Sequence, residues 1–106
     1  MTETKYGRVE CYVHSDDVTE NKGACIVRVQ CQSEAAARTD EFKEFAKKVA
    51  HRNYAAKVVG VEVEVLFPEL TWEQVMLEKA LREKIAISGI EYVDLQGGGI
   101  GYGPYK

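Results

Sequence analysis

At 106 residues with a formal charge of −3, the chain is one domain's worth of sequence, and its acidic balance gives no electrostatic reason to expect nucleic-acid binding. No apolar run approaches the roughly 20 residues that span a bilayer, so no membrane partner is expected. The opening MTETKYGRVE lacks the apolar stretch of a secretion signal, which makes a cytoplasmic protein the expectation.

The predicted elements follow in chain order. Residues 7–14 alternate, with Val9, Cys11 and Val13 on one side and Arg8, Glu10 and Tyr12 on the other, as in a strand with one buried face. A polar turn, SDDVTENKG over 15–23, leads to a more apolar and therefore more central strand over 24–32. The short connection predicts an antiparallel hairpin. Cys25, Val27, Val29 and Cys31 share a face of the second strand. All three cysteines are read as buried, reduced thiols: their number is odd, none forms a Cys-x-x-Cys pair, and no ligand spacing supports a metal.

A helix is predicted from Thr39 as N-cap, with Asp40 and Glu41 against the positive end of its dipole. Phe42, Phe45, Ala46, Val49 and Ala50 recur on one face, and the helix is expected to fade near Asn53. The run VVGVEVEVLF over 58–67 predicts a third strand, with Glu62 and Glu64 on a wet side and Pro68 ending it. Thr71 and Gln74 form a capping-box pattern between a Leu70/Val75 staple. The helix they open is given an inward stripe of Trp72, Met76, Leu77, Ala80 and Leu81. Residues 85–95 predict a last strand whose phase breaks at Gly89, as a bulge would break it. Residues 96–106, QGGGIGYGPYK, form a glycine-rich C-terminal tail expected to be mobile. The fold class is α+β: an antiparallel three- or four-stranded sheet with two helices on one face, in β-β-α-β-α-β order. The opposite sheet face, assigned Tyr12 and Ile26, would need a partner.

The segment VQCQSEAAARTDEFKEFAKKV over 29–49 resembles the core of the elongation factor Ts family. There a strand ends in a turn reading Cys-Gln/Glu-Thr-Asp-Phe-Val-Ala-Arg/Lys. The corresponding positions here are Cys31, Gln32, Ser33, Glu34, Ala35, Ala36, Ala37 and Arg38. The match is clearest over 7–50. A weaker one covers 71–93, where Glu83, Ile85 and Ile87 fit a Gly-Glu-Asn-Ile-x-Ile-Arg-Arg-Phe strand and the paired arginines are absent.

The resemblance implies elongation factor Tu as partner, a homodimer, and residues 1–95 as a single core half. The family's N-terminal helical module and its second core half have no counterpart in the expected layout, as in a compact phage-type version or a stand-alone paralogue. In the family, the turn's Asp and Phe disturb the nucleotide and its magnesium. Here Glu34 retains the charge, Arg38 the basic position, and Ala35 replaces the aromatic. Ser33, Glu34, Ala35 and Arg38 are therefore the candidate partner-binding residues, and guanine-nucleotide exchange is expected to be weakened or absent. On the competing reading Ser33 simply caps a short helical turn over 34–37, linking strand to helix.

No catalytic set emerges. His14 and His51 have no Ser or Asp companions at triad-like placement, and Lys43, Lys47, Lys48, His51 and Arg52 read as a solvated basic strip. No cofactor is implied and no enzyme is expected. The alternatives are a homodimeric assembly protein that reuses the fold outside translation and, more remotely, an enzyme using Cys11, Cys25 or Cys31.

Overall fold

The computed structural model describes residues 4–95; the tail expected over 96–106 lies outside the described residues. Strands β1 (Tyr6–His14) and β2 (Gly23–Cys31) form the expected hairpin, in register from Tyr6 opposite Cys31 to His14 opposite Gly23. Asp16 shapes its loop. The carboxylate accepts from the Val18 and Thr19 N–H groups at 2.9 and 2.7 Å and pairs with Lys22 at 2.8 Å. Strand β3 (Ala86–Asp94) pairs antiparallel with the other side of β2, giving the order β1-β2-β3. The register slips between Ile26 and Arg28, beside Gly89 at φ +60°. This is the bulge that the broken alternation predicts.

Between β2 and β3 lie α1 (Glu34–Ala37), α2 (Asp40–Val59), α3 (Val63–Leu66) and α4 (Glu69–Leu81). Helix α2 crosses the strands directly, and α4 packs beside it. Thr39 caps α2 as expected, its Oγ1 accepting from the Phe42 N–H at 3.1 Å. Phe42, Phe45, Ala46, Val49 and Ala50 are all buried, against Cys25, Val27, Val29 and Cys31 on β2. The α+β architecture is thus a three-stranded antiparallel sheet with its helices on one face.

The strand expected over 58–67 does not form. Helix α2 continues to Val59, and α3 occupies 63–66. Asn53, Tyr54 and Ala56 extend its buried face, so six further residues of helix are rewarded by packing. The penalty for β-branched Val58 and Val59 in a helix is only a few tenths of a kcal/mol each. Gly60 then stops the helix in the left-handed conformation, φ +89°, with its N–H on the Ala56 carbonyl at 2.8 Å. Glu62 and Glu64 stand at the start of α3 rather than on one side of a strand.

Helix α4 opens two residues earlier than the Thr71 cap, at Glu69 behind Pro68, and the capping box is not made. Gln74 instead donates its side-chain amide to the Ile85 carbonyl at 2.9 Å. The inward stripe is Leu70, Leu77 and partly buried Leu81; Trp72, 62% exposed, Met76 and Ala80 face outward. Starting the helix at Glu69 places Leu70 and Leu77 two turns apart on one face.

On β1 the covered side is the reverse of the one expected. Residues paired across an antiparallel ladder share a face, so Arg8, Glu10, Tyr12 and His14 lie with the buried β2 residues beneath the helices. Tyr12 packs edge-on against His51 of α2, with ring centroids 4.7 Å apart, while Arg8 and Glu10 satisfy each other in an ion pair at 2.8 Å. Val9, Cys11 and Val13 are exposed with Ile26 on the helix-free face.

Two of the three cysteines are therefore buried and Cys11 is not. Burial pushes the Cys25 thiol up to about 11 and raises Cys31 as well. With a disulfide-exchange reagent on the folded protein, Cys11 should label quickly and Cys25 and Cys31 only after denaturation. Fast labelling of either buried thiol would restore the cysteine-enzyme reading.

Candidate functional site

The turn between β2 and α2 is a capped helical turn. Ser33 is extended, with φ −144° and ψ 156°, and its Oγ accepts from the Ala36 N–H at 3.2 Å. At the far end the Arg38 N–H reaches the Glu34 carbonyl at 3.1 Å, and the Thr39 hydroxyl donates to the Ala36 carbonyl at 2.8 Å. Ala36 and Ala37 turn inward and are buried. Small side chains are required there because this turn lies against β1 and β2.

Of the four residues selected from sequence, three form an outward surface. Glu34, Ala35 and Arg38 are exposed, and the Arg38 guanidinium donates to the Glu34 carboxylate at 3.0 Å across one helical turn. Such an exposed pair adds little to stability, but it presents both charges beside the bare Ala35 methyl. Ser33 differs. Its hydroxyl accepts from the Ala36 N–H and donates to Glu83, so it holds the turn from beneath.

Glu83 is the residue whose role the sequence did not disclose. It sits between α4 and β3, 50 positions from Ser33, and its second carboxylate oxygen accepts the Gln32 N–H at 2.8 Å. Gln32 returns the contact, its side-chain carbonyl accepting the Lys84 N–H at 2.7 Å. The Cys31 thiol donates to the Ser33 carbonyl at 3.2 Å. One carboxylate from the α4–β3 connection thus fixes both the strand end and the helix cap. The only advance signal was that Glu83 fits the weaker family-like stretch.

Loss of that carboxylate leaves the Gln32 N–H and the Ser33 hydroxyl without their acceptor. Glu83→Ala should cost about 2 kcal/mol, and faster amide hydrogen exchange should concentrate at 32–37. An unchanged exchange pattern would show that the turn holds itself without Glu83.

The basic strip of α2 divides in the fold. Lys48 pairs with Glu73 at 3.2 Å, the Arg52 guanidinium lies 5.1 Å over the Phe67 ring, and His51 packs on Tyr12. Among the described residues, no group of three or more His, Cys, Asp or Glu side chains is placed to hold a metal ion. Nor is any helix among them long and apolar enough to cross a membrane.

The arrangement defines a class: a small α+β unit whose central strand β2 leads into a capped, charged helical turn at the surface. No family model matches the chain. Proteins named elongation factor Ts do match it. That of Desulfosudis oleivorans is 40% identical over 62 residues, 58% of this chain and 29% of the relative. That of Colwellia psychrerythraea is 35% identical over 71 residues, 67% of this chain and 24% of the relative. That of Rubrobacter xylanophilus is 34% identical over 84 residues, 79% of this chain and 39% of the relative. The chain is a distant homologue of elongation factor Ts, and it spans between 24% and 39% of the length of these curated relatives.

Proposed function

We propose that this chain is an elongation factor Ts-like protein that binds elongation factor Tu through the Ser33–Arg38 turn, with weakened or absent nucleotide exchange. The homology makes elongation factor Tu the partner to test. The observation that carries the reading is the outward placement of Glu34, Ala35 and Arg38 on a turn pinned by Glu83. An exchange factor works by differential binding: it must grip the nucleotide-free state more tightly than the loaded one. Glu34 and Arg38 supply polar contacts that both states can accept. Ala35 offers one methyl where a ring would wedge between helices, so the residues that discriminate between states are reduced.

In this reading residues 1–95 act as a single core half in the cytoplasm, and two copies cover each other's helix-free sheet face. Val9, Val13 and Ile26 give that face an exposed apolar centre, with Val9 68% exposed. The same observation favours a second reading, in which the protein is a homodimeric assembly unit with no role in translation.

The two readings separate in a binding titration of elongation factor Tu against the wild type and a Glu34→Ala/Arg38→Ala variant. The translation reading expects a complex that weakens at least about tenfold in the variant. If neither protein binds while the wild type remains a dimer, the assembly reading replaces it.

A further inference from the structure

At the other end of the sheet, eight residues along β2 and so roughly 26 Å from the turn, a cavity of about 800 Å³ opens between the strand ends and the last turns of α2. Small-molecule sites occupy about 300–1,000 Å³ and combine apolar walls with a few convergent polar groups. This one is walled by a run of rings. Tyr12 meets His51 edge-on; His14 stacks on Tyr54 at 5.2 Å and 27°; Tyr54 continues to Tyr92 at 5.4 Å. Exposed Val58 and Val59 form part of its rim.

The hydrogen bonds within this wall engage both imidazole Nδ1 atoms and the Asp94 carboxylate, and they leave donors. Arg52 can only donate, so its 2.8 Å contact makes His51 Nδ1 the acceptor and places the proton of the neutral ring on Nε2. Tyr12 Oη lies 2.9 Å from His14 Nδ1; a phenol is a better donor than a neutral imidazole, and with the phenol donating, the His14 tautomer that fits this contact has its N–H at Nε2. The Asp94 carboxylate accepts the Tyr92 hydroxyl at 2.6 Å, and Asp16 accepts from Lys22. The Tyr54 hydroxyl lies over Gly23, where an added Cβ would come within 2.7 Å of it. It makes no hydrogen bond among the described residues, and Lys57 makes no ion pair among them.

We propose that this cavity is a binding site for a small aromatic anion, a flat ring bearing a phosphate or carboxylate. The ring extends the His14–Tyr54 stack. The anionic group takes the Lys57 ammonium together with the Tyr54 hydroxyl and the imidazole Nε2–H donors. A cationic ligand is disfavoured, because two ammonium groups, Lys22 and Lys57, line the cavity against one carboxylate, Asp94, which also accepts the Tyr92 hydroxyl.

The test uses adenosine monophosphate as ring-plus-anion probe, with adenosine, inorganic phosphate and benzylamine as partial or charge-reversed probes. Binding is read from the His14 and His51 ring resonances. The proposal expects adenosine monophosphate to shift both rings with a Kd of about 1 mM or lower. Each other probe should bind at least about tenfold more weakly. Lys57→Glu, an exposed change that should leave the fold intact, should weaken the nucleotide about tenfold, and Tyr54→Phe should weaken it while keeping the stack. The proposal is overturned if the nucleotide leaves both rings unshifted at several times that concentration, if adenosine or benzylamine binds as well, or if Lys57→Glu binds like wild type. None of these readouts involves elongation factor Tu, so this site and the turn stand or fall separately.

Discussion

Ala35→Phe is expected to increase affinity for nucleotide-free elongation factor Tu by about 2 kcal/mol, roughly thirtyfold, and to accelerate GDP release. Ala35 is exposed on α1, while the inward positions belong to Ala36 and Ala37, so a ring at 35 enters solvent rather than the core. The turn beneath it is fixed at both ends, by the Ser33 cap with Glu83 and by Thr39. A ring there is held on a rigid base, and little binding energy is lost in ordering it. Stability should change by no more than about 0.5 kcal/mol, as for most exposed substitutions. Release kinetics with fluorescent GDP check the first part and thermal unfolding the second. A stable Ala35→Phe protein that binds no better than wild type would show that position 35 does not face the partner's mobile helices.

Phe42→Ala carries the largest stability effect expected anywhere in the chain. Phe42 is 0% exposed, the bulkiest of the fully buried side chains, and lies in the first turn of α2, three residues after the Thr39 cap. Truncating such a ring costs about 3–5 kcal/mol against a total of about 5–15 kcal/mol for a domain of this size. The melting temperature should drop by well over 10 °C, since each kcal/mol is worth about 4–8 °C at this length. Trp72→Ala is the matched control: that ring is larger but mostly exposed on α4, and its loss should leave the melting temperature nearly unchanged. Comparable losses in the two variants would mean that α4 packs by the face carrying Trp72, contrary to the structure.

The pattern of what was legible follows from where each constraint acts. The hairpin, the Thr39 cap, the α2 face through Ala50 and the Gly89 bulge are encoded within a few residues of themselves, and each appears as expected. Alternation on β1 correctly separated two sets of side chains but held no information on which set the helices cover. That choice depends on the β2 register and on His51 and Tyr54 arriving from α2. The valines of 58–61 carry a strand-like local preference that is overridden because Tyr54 and Ala56 keep the helix packed until Gly60. At the site, the cap at Ser33 is legible from its place before Glu34 and three alanines. The role of Glu83 is not legible, because its partners lie 50 and 51 positions away and meet it only in the folded chain.

The Glu34-Ala35-Arg38 surface is expected to engage elongation factor Tu without driving exchange. The direct measurement is release of fluorescent GDP from purified elongation factor Tu, with a binding titration on the same sample. The expected result is a saturable complex with GDP release little faster than its spontaneous rate. A complete lack of binding would contradict the partner assignment, and strong acceleration by the wild type would contradict the loss of the wedge at Ala35.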